Sequence, residues 1–231
     1  MAGMIEIETP AGDGRFGAYL AEPSGTPKAA VIVIQEIFGV NAGIRAKCDL
    51  WAAHGYLALA PDLFWRLEPG VKLDPDVPDQ FQHALGLMGR FDQDGGIRDI
   101  EATIREARAR GPAKVGAVGY CLGGRLAYLT AARTDIDASV GYYAVGIDGL
   151  LGEAHAIARP LMLHIAGADH FVGPEVQKAM HDGLDGHPRV TLHDYPGLDH
   201  GFAAEMGARR NEEGARLADE RTKMFLERHL S

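Results

Sequence analysis

The stretch Val115-Gly116-Ala117-Val118-Gly119-Tyr120-Cys121-Leu122-Gly123-Gly124 constrains this chain more than any other. An apolar run of strand character passes through Gly-x-Cys-x-Gly-Gly straight into a helical pattern, Leu122 to Arg133, so the backbone must reverse within a few residues. Cβ atoms at positions 119 and 123 would crowd such a turn, and glycine stands at both. The side chain carried on the turn is the Cys121 thiol, lifted to the top of a strand and set at a helix N-terminus, where the helix dipole favours negative charge. The bland alternative is a small buried cysteine among packing glycines. The strand before it and the helix after it favour a nucleophile.

Strands and helices alternate through the rest of the chain. Two extended stretches, Met4 to Thr9 and Arg15 to Pro23, precede Ala29 to Ile34, an unbroken apolar run that reads as a strand buried on both faces. Asn41 caps a helix with Ile44, Cys48 and Trp51 on one stripe and Gly55 just past its end. Further strands are expected over Leu57 to Ala60, Lys114 to Tyr120, Ala138 to Ala144, Pro160 to Ala166 and Val190 to Tyr195. Between and after them, helices are expected around Ile97, Ile100 and Ile104, over Leu122 to Arg133 and Pro174 to Leu184, and over Asn211 to Leu230 with Leu217, Met224 and Phe225 on one side. Asp62 to Asp94 is too long for a connector and reads as an excursion carrying a helix near Gln80 to Phe91. The alternation predicts an α/β fold, a mostly parallel eight-stranded sheet with helices on both faces, and a single domain over residues 1–231.

Asp and Glu number 32 against 23 Lys and Arg, a formal charge of −9, so a basic face for nucleic acid or an anionic membrane is not expected. No secretion signal or membrane span is legible, and two cysteines, Cys48 and Cys121, make no disulfide framework, which points to a cytoplasmic setting. Cys48, on an apolar helical stripe, reads as core. His54, His155, His164, His181 and His187 show no partner in the sequence and read as exposed or packing residues.

A cysteine nucleophile needs a base and a group to orient that base. One strand ends in Gly167-Ala168-Asp169 and the last in Pro196-Gly197-Leu198-Asp199-His200-Gly201-Phe202. Nucleophile, acid and histidine after successive strands follow the chain order of the α/β-hydrolase fold, so Cys121, Asp169 and His200 are expected to converge. His170 and Asp199 allow each assignment to slip by one residue, and the four together could be read as metal ligands. No tight ligand cluster such as His-Glu-x-x-His accompanies them, so no metal and no cofactor is expected. The oxyanion donors expected are the N–H groups of Leu122 and, in the loop Gln35-Glu36-Ile37-Phe38-Gly39, of Ile37. Glu36 closes an apolar strand toward the same edge, where burial is costly unless it is paired or functional.

The combination of Gln35-Glu36-Ile37-Phe38-Gly39, Gly119-Tyr120-Cys121-Leu122-Gly123-Gly124, Asp169-His170-Phe171-Val172 and His200-Gly201-Phe202 resembles the dienelactone hydrolase (carboxymethylenebutenolidase) family. The resemblance implies a Cys121–His200–Asp169 triad, contact of Glu36 with the resting thiol, oxyanion donation from Ile37 and Leu122, and an aromatic substrate contact from Tyr142 or Tyr143. Tyr143, Phe81 and Phe38 are the substrate contacts expected. It also implies two arginines that grip a substrate carboxylate, but Phe81 and Ala204 stand in their places. Arg66, Lys72 and Arg90 are the possible substitutes. The expected partner is thus a small ester or lactone less anionic than dienelactone, hydrolysed by a monomer or small homo-oligomer. The rival readings are the same triad attacking activated phosphotriesters, and a catalytically silent binding module.

Overall fold

The computed structural model describes residues 1–12 and 14–231. Its eight strands are β1 (Ala2–Glu8), β2 (Arg15–Ala21), β3 (Ala30–Ile34), β4 (Leu57–Pro61), β5 (Val115–Tyr120), β6 (Ala138–Tyr142), β7 (Leu161–Ala166) and β8 (Val190–Tyr195). They form one sheet in the order β1-β2-β4-β3-β5-β6-β7-β8. The β1–β2 and β2–β4 pairs are antiparallel, and every pair from β4 to β8 is parallel. This is the α/β-hydrolase arrangement that the alternation predicts.

The central strands β3, β4, β5, β6 and β7 are buried at every position, as their unbroken apolar runs require when helices cover both faces. Helices α1 (Ala42–Ala53) and α6 (Glu212–Leu230) pack on one face. On the other lie α3 (Gln93–Ala109), α4 (Leu122–Arg133), α5 (Pro174–Leu184) and a short 3₁₀ helix, Asp148–Ala156, which no sequence period announced. Asn41 caps α1 by accepting the Ile44 N–H at 3.1 Å. The excursion between β4 and α3 carries α2 (Pro78–Arg90) across the carboxyl edge of the sheet. Among the described residues, no helix is long and apolar enough to cross a membrane.

Two local expectations are corrected. The face of α6 that meets the sheet is Gly214, Ala215, Ala218, Thr222, Leu226 and Leu230, whereas Leu217 and Met224 are exposed and Phe225 lies between. Small residues let the helix settle close to the sheet, and bulk on a helix therefore misidentifies its buried side here. The sixth strand ends at Tyr142, not Ala144, because Tyr143 turns out of extended backbone with φ of 37°.

The elbow after β5 depends on close backbone approach. Cys121 has φ 57° and ψ −114°, a region that costs an L-residue about 1–3 kcal/mol. Its N–H is held by the Tyr142 carbonyl at 3.0 Å, and its own carbonyl accepts from Gly124 and Arg125. A Cβ at Gly119 would lie 1.9 Å from the Gly123 carbonyl oxygen, and one at Gly123 would lie 2.3 Å from that of Ile34. Neither neighbour is a side chain that can swing away. Gly119→Ala is therefore expected to destabilise the fold by about 3 kcal/mol or more, read as a lower urea midpoint at unchanged slope. A midpoint within error of the wild type would mean that the elbow yields.

Candidate active site

Three loops at the carboxyl edge of the sheet supply the functional side chains. Asp169 follows β7, and its Oδ1 accepts the N–H groups of Phe171 at 2.8 Å and Val172 at 3.2 Å. That leaves Oδ2 directed at His200 Nδ1, 2.8 Å away, with both side chains buried. The neighbouring residues pair with each other instead. Asp199 Oδ1 accepts the N–H groups of His200 at 2.6 Å and His170 at 3.1 Å and lies 2.8 Å from His170 Nδ1, at the exposed surface. The possible one-residue slip is thus met by two crossed pairs, one buried and one exposed. Asp169, His170 and Asp199 bring possible ligand atoms within 4.8 Å of one another, but the Asp169 oxygens already accept from His200, Phe171 and Val172.

His200 also lines one cavity wall with Cys121, near enough for their charges to interact. Burial by itself lowers the imidazole pKa. The Cys121 charge and the hydrogen bond to Asp169 outweigh it and raise the value to about 10. The imidazolium is favoured through the neutral range. Tyr143 stacks edge-on against His200 with ring centroids 4.9 Å apart and is buried behind it, so it supports the imidazole rather than lining the cavity. Tyr142 is farther away, its hydroxyl bonded to Asp219 and Thr222.

Cys121 and His200 open on a cavity of about 310 Å³ whose remaining wall is Glu36, Ile37, Phe38, Phe81, Leu85, Met88, Val145, Phe171 and Arg209. Loop 35–39 is fixed at its root, where Gln35 accepts the Leu63 N–H at 3.0 Å, and at its tip, where Leu73 N–H donates to the Phe38 carbonyl at 2.9 Å. Ile37 is thereby held on the cavity wall. Leu122, the first residue of α4, carries an N–H with no acceptor inside the helix. A larger groove of about 580 Å³ runs between α1 and α6, lined by charges of both signs and by no cysteine, serine or threonine.

Glu36 is half-buried, and its pKa is raised by burial against the pull of His200, Arg209, Lys47 and the nearby Tyr143 hydroxyl. None of the three substitute cations expected from the sequence reaches the cavity. Arg66 is spent on Asp99 at 2.5 and 3.0 Å, Lys72 lines a different groove, and Arg90 is exposed and bonds the Gly86 carbonyl. The cation present is Arg209, 5.7 Å over the Phe81 ring and 5.8 Å over that of Phe171. It forms no ion pair among the described residues. Nothing around Arg209 in the sequence marks it, since it sits in a polar loop that only the fold brings to the mouth. Four of the unassigned histidines also have hydrogen-bond partners. His164 is buried between Tyr195 and Thr222, His181 meets Asp185 and Asp194, His155 faces the Gly152 carbonyl, and His187 Nδ1 accepts the Arg189 N–H.

Residues 16–230 match the profile of the dienelactone hydrolase family. A carboxymethylenebutenolidase of Pseudomonas putida is 39% identical over 213 residues, covering 91% of this chain and 90% of that protein. A relative in Azospirillum brasilense, whose carboxymethylenebutenolidase name is provisional, is 48% identical over 232 residues, 98% of this chain and 100% of its own. Among solved structures, one from Klebsiella pneumoniae, provisionally named dienelactone hydrolase, superposes with a TM-score of 0.81 at 28% identity over 97% of this chain and 98% of that one.

The charge on His200 gives a direct prediction. Because Cys121 and Asp169 both raise its pKa, ring NMR should find His200 protonated at pH 8 in the wild type and titrating at lower pH in Cys121→Ala and in Asp169→Asn. Wild-type titration at the ordinary histidine value, about 6.5, would contradict this electrostatic reading.

Proposed function

The chain belongs to the dienelactone hydrolase family, and from that premise we propose that it hydrolyses small esters or lactones through a thioester formed on Cys121. The observation that carries the reading is a cysteine on a strained elbow that shares a cavity wall with a buried His200, whose Nδ1 meets Asp169 at 2.8 Å. In the proposed cycle the Cys121 thiolate attacks the carbonyl carbon. The developing oxyanion accepts from the N–H groups of Ile37 and Leu122. Collapse breaks the acyl C–O bond, and the leaving oxygen takes its proton from the His200 imidazolium. Neutral His200 then takes a proton from water, the hydroxide attacks the thioester, and the acid departs as thiolate and imidazolium are restored. Asp169 holds the ring in the orientation both transfers need.

Ile37, Phe38, Phe81, Leu85, Met88, Val145 and Phe171 make the cavity wall largely apolar, which suits a compact substrate with an apolar acyl part. Arg209 supports a limited tolerance for a carboxylate at the mouth. An exposed arginine contributes much less than a buried bidentate pair, of the order of 1 kcal/mol or below. It offsets only part of the cost of desolvating an anion against Phe81 and the other apolar walls.

The test is a panel of neutral p-nitrophenyl esters, a neutral lactone, a carboxylated lactone and a phosphotriester. Cys121→Ala should lose at least ~10³ in kcat on every ester and lactone. Neutral substrates should exceed the carboxylated lactone in kcat/KM, and Arg209→Gln should lower the anion's value by about threefold to fivefold more than the neutral esters'. Activity retained in Cys121→Ala would overturn the mechanism. A wild-type preference of about tenfold or more for the anion, roughly 1.4 kcal/mol, would overturn the substrate reading, and turnover of the phosphotriester alone would move the chemistry to phosphorus.

A further inference from the structure

Two buried helix threonines turn their hydroxyls back on their own helix: Thr103 donates to the Asp99 carbonyl at 2.8 Å and Thr130 to that of Leu126 at 2.7 Å. Thr222, also buried on the sheet-facing side of α6, spends its hydroxyl sideways. Its Oγ1 lies 2.6 Å from Tyr142 Oη and 2.8 Å from His164 Nε2. His164 Nδ1 in turn lies 2.7 Å from Tyr195 Oη, and Tyr142 Oη lies 2.9 Å from Asp219 Oδ1. These side chains join β6, β7 and β8 to α6 behind the elbow.

Counting protons gives the chain a single direction. Asp219 takes the Lys47 ammonium on Oδ2 at 3.2 Å, with Lys47 also held by Glu205 at 2.9 Å, so Asp219 only accepts and the one Tyr142 hydroxyl proton goes to its Oδ1. Tyr142 Oη must then accept from Thr222, which spends the one Thr222 proton. Thr222 Oγ1 therefore accepts at its other contact, and the donor there is His164 Nε2–H. His164 is 1% exposed, and burial, with the nearby His193 and Arg221 charges, holds its pKa well below the usual histidine value. The ring is neutral, and its Nδ1 accepts from Tyr195. Protons thus run from Tyr195 through His164, Thr222 and Tyr142 to Asp219.

Tyr142 is the member that meets the elbow. Its backbone carbonyl holds the Cys121 N–H at 3.0 Å, and the next residue, Tyr143, gives its N–H to the His164 carbonyl at 2.8 Å. The Tyr142 ring lies 4.8 Å from that of Tyr120 and 4.3 Å from that of His164. In so closely packed a layer, a shift of this ring moves the strand end and the strained elbow bonded to it. We propose that Thr222 is a positioning residue: the one-way chain through its hydroxyl fixes His164 as the Nε2–H tautomer and holds Tyr142, and with it the Cys121 backbone, in the geometry that reaction requires. This rests on the Cys121 reading of the site and extends it to a helix that contributes nothing to the cavity wall.

Ring-nitrogen NMR at pH 8, with the His164 signals assigned by their loss in His164→Gln, tests the chain. Wild-type His164 should carry its proton on Nε2. Thr222→Val keeps the shape and removes the hydroxyl, so the proton should move to Nδ1, where the Tyr195 oxygen is the remaining acceptor. Tyr195→Phe removes a donor at the far end and should leave the proton on Nε2. On a neutral p-nitrophenyl ester, Thr222→Val should lower kcat about tenfold with KM within about twofold. Alkylation of Cys121 by iodoacetamide should slow by a similar factor, and Thr222→Ser should restore both. Tyr195→Phe also leaves a buried group unpaired but spares the Thr222–Tyr142–Asp219 link, so its kcat should change by less than about threefold. A wild-type proton on Nδ1 would overturn the chain. Unchanged kcat and alkylation in Thr222→Val, or equal losses in Thr222→Val and Tyr195→Phe, would overturn the positioning role. Should Thr222→Val not fold, Tyr142→Phe, which breaks the same link to Asp219, takes its place in the kinetic comparisons. Absence of Cys121 labelling in the wild type would instead overturn the underlying mechanism, so the two failures are distinguishable.

Discussion

The contact between the Gly119–Gly124 elbow and the ends of β3 and β6 is what the rest of the site depends on. Cys121 occupies backbone that an unconstrained L-residue avoids, and it stays there because its N–H is bonded to Tyr142 and its flanks have no room to relax. The strain is local and its support is distributed over three strands. That division lets a single thiol be held at a helix N-terminus, facing His200, without a flexible loop beneath it. Loop 35–39 leaves β3, beside the elbow's own strand, and the Asp169 turn leaves β7, on the far side of β6, so their positions are set by the same sheet register that sets the elbow.

Charge is handled in three layers. At the mouth, Arg209 lies against two phenylalanine rings and remains open to solvent. In the site, Cys121 and Asp169 flank the buried His200 and favour its protonated form. Behind it, Lys47, Glu205, Asp219 and Arg210 form a network of alternating sign between α1 and α6. Glu36 joins the second layer to the third. A half-buried carboxylate on the same cavity wall as Cys121 keeps its charge more readily where cations reach it from more than one direction.

Much of this was legible in the sequence because it follows from periodicity and strand-end position. Ala30–Ile34 and Val115–Tyr120 are apolar throughout because both of their faces are covered, and Asp169 and His200 fall at strand ends where a site can be built. What escaped depends on contacts between distant segments. The buried face of α6 is made of alanine, glycine and threonine, which carry little hydrophobic signal. Arg209 reaches the cavity only because the loop before α6 passes over α2. Lys47 did leave a trace, a lysine on the Ile44–Cys48–Trp51 stripe, but its partners lie 158 and 172 residues away in sequence and no local pattern names them.

The central claim is that the acyl group is carried on Cys121 sulfur. Rapid quenching of the wild type with an activated neutral ester, followed by tryptic peptide mass spectrometry, tests it most directly, because the fragment from Val115 to Arg125 contains Cys121 and no other cysteine. The account predicts an acyl mass on that fragment that forms within the first turnover, decays as product accumulates, and is discharged by hydroxylamine as a thioester is. Turnover with no acyl mass there, or with the acyl group on another peptide, would contradict it.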